Sequence, residues 1–403
     1  MTPQQKLDFR RMLLASVAFG ATAGIFNATL GNYLHDVHDF DAAARGWLEF
    51  PRELPGFLVI FTVGLLAARY REGRAMAMAM TVTTLGAVGM ALLAPTAWMA
   101  VLWIFVWSSG DHMNFVLEGP LGLKLAQRGG EGRRLGQFGG AKNLGALLGA
   151  GAVFLVARLL GDDYRLFYLL AAVLAVVAAW NFARIETGKD DRRPRAFVWR
   201  RKYSIFYTIS ALFGIRKQIF FVFGTWVLVD IHQVPVSTIA TLIFVGAGLG
   251  VVARPLLGDV VDWLGERVVL AADEILLIVV CLVYAFADQI FPGGAVIWAL
   301  YSAYVLDHTL FALRVARTTY LKKIAVDPAD ITPTMGVGIT IDHAVAMTLP
   351  IASGWIWEHV GFQWVFVLAA GIALAGFFVC LRIRVPRQID PADSSGSGAA
   401  PTG

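Results

Sequence analysis

The chain has 403 residues, 57% of them from the set AVILMFWYC and only 16% charged, against about a quarter charged in a soluble domain. With a mean hydropathy of +0.64 and apolar runs of about 20 residues, each long enough to cross a ~30 Å hydrocarbon core, it reads as an all-α polytopic membrane protein. Its net charge of +5 is spread over short separate loops, which gives no continuous basic face for nucleic acid, and Cys281 and Cys380 fall inside apolar runs without metal-ligand spacing.

Twelve spans follow in order, at roughly 12–34, 46–69, 74–95, 98–123, 136–158, 164–184, 204–229, 237–258, 267–291, 295–321, 334–358 and 362–383. The first follows Lys6, Arg10 and Arg11, as a signal peptide would. It is nevertheless as long as a full span, holds Asn27 and Asn32, and precedes no small-residue cleavage site, so an uncleaved first helix is expected. His35-Asp36-Val37-His38-Asp39 and Asp41 then form a solvated loop in preference to a metal site. Glu49-Phe50-Pro51-Arg52-Glu53-Leu54-Pro55 opens the second span as a charged, proline-kinked end, either part of an outer gate or an interfacial segment.

Span four carries Ser109-Gly110-Asp111-His112-Met113-Asn114 and, one turn on, Glu118. Asp111, Asn114 and Glu118 are spaced i, i+3, i+7 and share a face. Span five holds Lys142 among glycines, including Gly145 and Gly149, that permit close helix approach. A basic linker, 185–203, separates spans six and seven. Span seven has Arg216, Lys217 and Gln218 at its middle. Span ten repeats the Asp-His pair as Asp307-His308, 196 residues on from 111 to 307, followed by Arg314 and Arg317. Span eleven holds Asp342 and His343, and a Ser- and Gly-rich stretch from 388 to 403 lacks the apolar residues to pack.

Basic residues cluster at alternate loops: Lys6, Arg10 and Arg11; Arg69, Arg71 and Arg74; Lys124, Arg128, Arg133 and Arg134; Lys322 and Lys323; Arg382, Arg384 and Arg387. This bias places both termini in the cytoplasm. The Ala-, Gly- and Arg-rich composition suggests a bacterium, hence the inner membrane.

Ionised side chains cost about 2.5–3.5 kcal/mol each at the centre of a bilayer. Asp111, Glu118, Lys142, Arg216, Lys217, Asp307, Arg314, Arg317 and Asp342 must therefore face a watery cavity or one another. With glycines Gly136 and Gly336 aligned, Lys142 in the first half stands where Asp342 stands in the second; by the 196-residue offset of the Asp-His pairs, Glu118 stands where Arg314 does. Two ion pairs are expected, Glu118–Lys142 and Arg314–Asp342, with a structural or gating role. Asp111 and Asp307 are then left without a cation of their own, each beside a histidine. Carboxyl and imidazole groups withdrawn from bulk water are suited to exchanging protons, so Asp111, His112, Asp307 and His308 are candidate proton-coupling residues.

Six spans, a linker and six more, with an internal repeat of about 195 residues, resemble the major facilitator superfamily across essentially the whole chain. Gly258, Asp262, Gly265 and Arg267, within Gly-Asp-Val-Val-Asp-Trp-Leu-Gly-Glu-Arg, are similar to that family's loop motif between the second and third helices of a half, an acid–base latch. The first half departs from it, with Ala68 where the acid belongs, and span five lacks the proline typical of the family's drug–proton antiporters. The resemblance implies two pseudo-symmetric six-helix bundles, 1–184 and 204–387, joined by the 185–203 linker and followed by a disordered tail. It also implies a central cavity lined by helices one, four, seven and ten. Asn27, Asn114, Arg216, Lys217, Gln218, Arg314 and Arg317 are then candidate solute ligands; the arginines either suggest an anionic or zwitterionic solute or only pair with Asp111, Asp307 or Glu118.

The function expected is secondary active transport of a small polar solute by alternating access, coupled to protons, in a monomer embedded in the bilayer. The alternatives are a divalent-metal or metal-chelate carrier using the Asp-His pairs as ligands, and a transporter-like sensor. No nucleophile elbow, phosphate-binding loop or zinc signature is present, so neither an enzyme nor a cofactor is expected.

Overall fold

The structure, a computed structural model, describes residues 2–126, 131–186, 198–327 and 330–384, and all regular structure among them is helical. The expected linker falls largely on 187–197 and the expected tail on 388–403, both outside the described residues. The helices are α1 (Pro3–His38), α2 (Ala42–Arg69), α3 (Glu72–Leu92), α4 (Ala97–Lys124), α5 (Glu131–Leu160), α6 (Tyr164–Ala183), α7 (Ser204–Gln218), α8 (Val236–Leu264), α9 (Glu266–Ile290), α10 (Ala295–Leu310), α11 (Arg314–Ile324), α12 (Ile331–His359) and α13 (Phe362–Leu381). A 3-10 turn at Phe311–Leu313 joins α10 to α11, and the two together make the tenth of twelve spans. Eight helical stretches among the described residues are long and apolar enough to cross a bilayer on their own.

Local chemistry sets several boundaries. Thr2 and Gln5 form a reciprocal capping box at the start of α1. Asp163 accepts from the Arg165 and Leu166 N–H groups to start α6. Gly265, at φ 80°, turns the chain between α8 and α9 in a conformation that glycine alone adopts readily. One segment departs from expectation: α1 runs on to His38, so His35 and Asp36 lie on its last turn instead of in a loop.

The first six helices pack chiefly among themselves, with α1 against α5 and α6 and α3 against α4 and α6; α7 to α13 do likewise. The closest approaches are built on small residues. A Cβ on Gly20 would fall 1.9 Å from the Lys142 carbonyl, and one on Gly145 would fall 2.0 Å from that of Val17. The two groups of helices meet through α2 with α12 and α5 with α8.

These meetings differ between the two ends of the molecule. Towards the face carrying the α1–α2 and α7–α8 connections, one apolar core runs across both groups and includes Phe26, Tyr33, Trp107, Phe223, Trp226 and Phe366. Here Gly46 lies against the Pro350 carbonyl, Ala42 N–H donates to Glu358, and Asn32 donates to the Val234 carbonyl at 2.9 Å. Towards the face carrying the chain termini the core divides. One cluster, with Met12, Phe19 and Phe138, belongs to the first group, and another, with Tyr203, Phe206 and Leu321, to the second. A Cβ on Gly119, Gly136, Gly139 or Gly336 there would meet nothing within 4 Å. The molecule is closed at the face opposite the termini and open at the terminal face.

Candidate functional site

Between the two groups lies a cavity of about 930 Å³, within the range that accommodates a small ligand. Two of the helical axes from the C-terminal half that border it are interrupted. Beyond Gln218 the α7 axis continues through π-helical turns at Ile219–Gly224 and Val227–Ile231, and α10 breaks at Phe311–Leu313. Broken helices at mid-membrane commonly frame transporter sites, because they free backbone and side chains to face a cavity.

The inner end of the cavity is closed by a charge network centred on α2. Glu49, fully buried, is gripped by Arg52 and by Arg45 and also accepts from Gln218 Nε2 of α7 at 3.1 Å. Glu53, one turn on, meets Arg52 at 2.5 Å, Lys217 of α7 at 3.4 Å and His343 Nδ1 of α12 at 2.7 Å. Lys217 is shared with Asp342 of α12, also at 3.4 Å. Three of these contacts, Glu49–Gln218, Glu53–Lys217 and Glu53–His343, cross from the first group of helices to the second. The acids and bases neutralise one another where water is scarce. For these helix-two charges the sequence leaves gate and interface as alternatives. What the sequence held was two acids and an arginine within a single turn of a span, beside two prolines.

His112 reaches the same network from α4. Its Nε2 is 3.9 Å from Glu53, and its ring stands edge-on to His343 with centroids 4.9 Å apart. Its Nδ1 lies 2.9 Å from the Ser108 carbonyl. The adjacent Asp111 lines the cavity and has neither an ion-pair nor a hydrogen-bond partner among the described residues. Asn27, Lys217, Gln218, His308 and Arg317 also line the cavity.

Other expected residues lie elsewhere. Asp307 does not border the cavity: it is buried, with its Oδ1 3.0–3.2 Å from two nitrogens of Arg216, so it does have a cation of its own. Arg216 in turn spans to Asp273 of α9 at 2.5 Å and is thereby removed from the solute wall. The cause is tertiary, since α9 supplies an acid that spacing along α7 and α10 does not reveal. Asn114 is buried and donates to the Gly110 carbonyl in its own helix. Glu118 and Lys142 come together at 3.0 Å, linking α4 to α5. The expected counterpart in the second half does not form in that way: Asp342 takes Lys217, and the Arg314 side chain lies outside the described residues. At the α8–α9 turn Asp262 and Arg267 are exposed, and the acid paired there is Glu266, with Lys323 of α11 at 2.6 Å.

Comparison with known proteins agrees with this architecture. No curated protein sequence matches the chain. The crystal structure of the nucleoside transporter NupG superposes with a TM-score of 0.76 at 14% identity, over 93% of this chain and 98% of that one. A bacterial homolog of the human lysosomal transporter Spinster, in an inward-facing and occupied conformation, gives 0.74 at 14% identity, over 97% and 100%. The D-xylose–proton symporter gives 0.70 at 14% identity, over 94% and 97%. At such identities the likeness is one of fold. The sequence profile of the Major Facilitator Superfamily matches residues 12–313, and the chain belongs to that family of membrane transporters.

Proposed function

We propose that the protein moves a small polar solute by alternating access, driven by protons, with both termini cytoplasmic in a bacterial inner membrane. The observation that carries this is the Glu53 crossing: one buried carboxylate of α2 holds α7 and α12 of the other bundle at the closed end of a large cavity. With the termini inside, the open face is the cytoplasmic one and the conformation is inward-facing. A proton delivered to Glu53 removes the charge that retains Lys217 and His343, and so loosens the closed face.

Asp111 supplies the entry point, an unpaired cavity carboxyl next to His112, which in turn approaches Glu53. Proton coupling is thereby assigned to Asp111 and His112 in preference to Asp307, whose charge is already balanced by Arg216. The anionic preference expected from the arginines loses support on the same grounds. Arg216 is committed to two acids, and Lys217 is shared by Glu53 and Asp342. A polar solute that offers hydrogen-bond donors to Asp111 fits the geometry better. The D-xylose–proton symporter, of similar fold, is by its description a proton-coupled carrier of a neutral polar solute.

One observation favours a divalent-metal cargo: ligand atoms of Glu53, His112 and His343 converge within 4.8 Å. Arg52 and Lys217 occupy the same carboxylate, and two fixed cations oppose a third. The carrier of an organic solute is the better reading.

The test is a ligand-stabilisation screen of purified protein against sugars, amino acids, organic acids and divalent metals, followed by reconstitution with the solute found. Binding to the folded state raises apparent stability. An imposed inward proton gradient then drives accumulation by the wild type. Asp111→Asn retains solute exchange and loses accumulation. Accumulation surviving in that variant overturns the coupling assignment, and stabilisation by metals alone overturns the organic cargo.

A further inference from the structure

Part of the cavity lining is a continuous group of rings. On the C-terminal side Phe213, Phe221, Phe311 and His308 all border it. They touch in series, with ring centroids at 4.9 Å for Phe213–Phe311, 5.4 Å for Phe221–Phe311 and 5.3 Å for Phe221–His308. The His308 ring is stacked on Tyr304 at 4.4 Å, and its Nδ1 lies 3.2 Å from the Tyr304 carbonyl, which fixes its plane. Each of the four is only half-buried, so each keeps part of its surface towards the cavity.

α8 contributes almost no bulk beside them. A Cβ on Gly246 would sit 3.1 Å from the His308 Cβ, and one on Gly250, a buried residue, would meet nothing within 4 Å. The first bundle presents Asn27, Asn143 and the unpartnered Asp111 to the same space.

We infer that the cavity binds a solute with a flat, unsaturated, uncharged ring, seated on the Phe213–Phe221–Phe311–His308 wall in the space left by Gly246 and Gly250, with hydroxyl or amide donors directed at Asp111. The inference rests on the cavity being the solute site. Rings grouped in a water-filled carrier leave apolar area wet until something covers it, and a planar π system covers it with the best geometry. An organic cation is disfavoured because a cation already serves this wall: the Arg317 guanidinium lies 4.5 Å from the Phe213 centroid.

The test uses ring-matched probes with the same donors: benzamide and cyclohexanecarboxamide, catechol and cyclohexane-1,2-diol, 2-pyridone and δ-valerolactam, with choline as the cation and D-xylose as the saturated polyol. Ligand-observed NMR titration of the full chain in nanodiscs reads the affinities. The planar member of at least one pair binds at least about fivefold tighter than its saturated partner, as one stacking contact gives. That preference is lost in Phe221→Leu, and binding disappears in Gly250→Leu, whose thermal midpoint stays near that of the wild type because the added side chain enters open space. Equal binding within every pair, no binding by any planar probe, a preference unchanged by Phe221→Leu, or choline as the tightest probe each overturns the inference. Proton-driven uptake of D-xylose without planar binding would leave the carrier reading intact while removing this one, so the two failures are distinguishable.

Discussion

Arg216 shows how much a single residue can be asked to hold. It neutralises Asp307 and Asp273 together while only 6% exposed. Its removal leaves two carboxylates facing each other without a cation, a loss of about 3–5 kcal/mol by comparison with other broken buried pairs. Arg216→Gln is therefore expected to lower the thermal midpoint of the purified protein sharply. Arg216→Lys recovers little of that loss, because one ammonium cannot serve both acids with a planar fork; full recovery would contradict the two-acid role. The Glu118–Lys142 pair is more exposed, at 18% and 25% of side-chain area, and contributes about 1 kcal/mol or less. Each single charge reversal there lowers the midpoint slightly, and Glu118→Lys with Lys142→Glu restores it. A double reversal no better than the singles would remove the direct contact. Spacing along α4 and α5 made this pair legible in the sequence, since a short loop brings neighbouring helices together with alike polar positions. An arginine paired with Asp307 was one of two readings the sequence left open, whereas the partners of Lys217 and Asp342 were not legible, because each is supplied by a helix distant in the chain.

At the scale of the element, similar glycine contacts serve two different purposes. Gly20 fits against α5 inside one bundle, whereas Gly46 fits against Pro350 of α12 across the two. A valine at either position forces backbone apart, at about 1–3 kcal/mol for overpacking. Gly20→Val is expected to destabilise the fold in every conformation, read as a lowered thermal midpoint. Gly46→Val is expected to spare the midpoint and open the face opposite the termini, read as increased labelling by a membrane-impermeant thiol reagent of a cysteine placed at Asn32. No change in labelling would mean that α2 and α12 do not separate there. The helices themselves were largely legible, since twelve apolar runs had nowhere to go but across a bilayer. The breaks at Ile219–Gly224 and Phe311–Leu313 were not, because neither segment holds a proline, and Gly224 at the end of the first is one of many glycines within the helices of this chain. The charged turn Glu49–Glu53 reads in the sequence as either part of an outer gate or an interfacial segment, and only its contacts with α7 and α12 show it buried between the two groups of helices.

For the whole molecule, the account is of two bundles that share one apolar core at one face and keep separate cores at the other. Alternating access then amounts to exchanging the joined face for the divided one about a cavity that stays in place. The joined face is held partly by burial, which no proton alters, and partly by the polar contacts of Glu49 with Gln218 and of Glu53 with Lys217 and His343. A shift from one populated state to the other needs only the difference in their affinities for the proton and the solute. The most direct measurement replaces Cys281 and Cys380, then places spin labels at Trp98 and Trp298, exposed residues near the closed face in the first and second bundles. Pulsed electron paramagnetic resonance in nanodiscs gives the distance between them. The wild type is expected to show a dominant short distance, and Glu53→Gln a substantial second population several ångströms longer, with Asp307→Asn unlike it in leaving the distribution as it was. An unchanged single distance in Glu53→Gln would contradict the claim that this carboxylate holds the two halves closed.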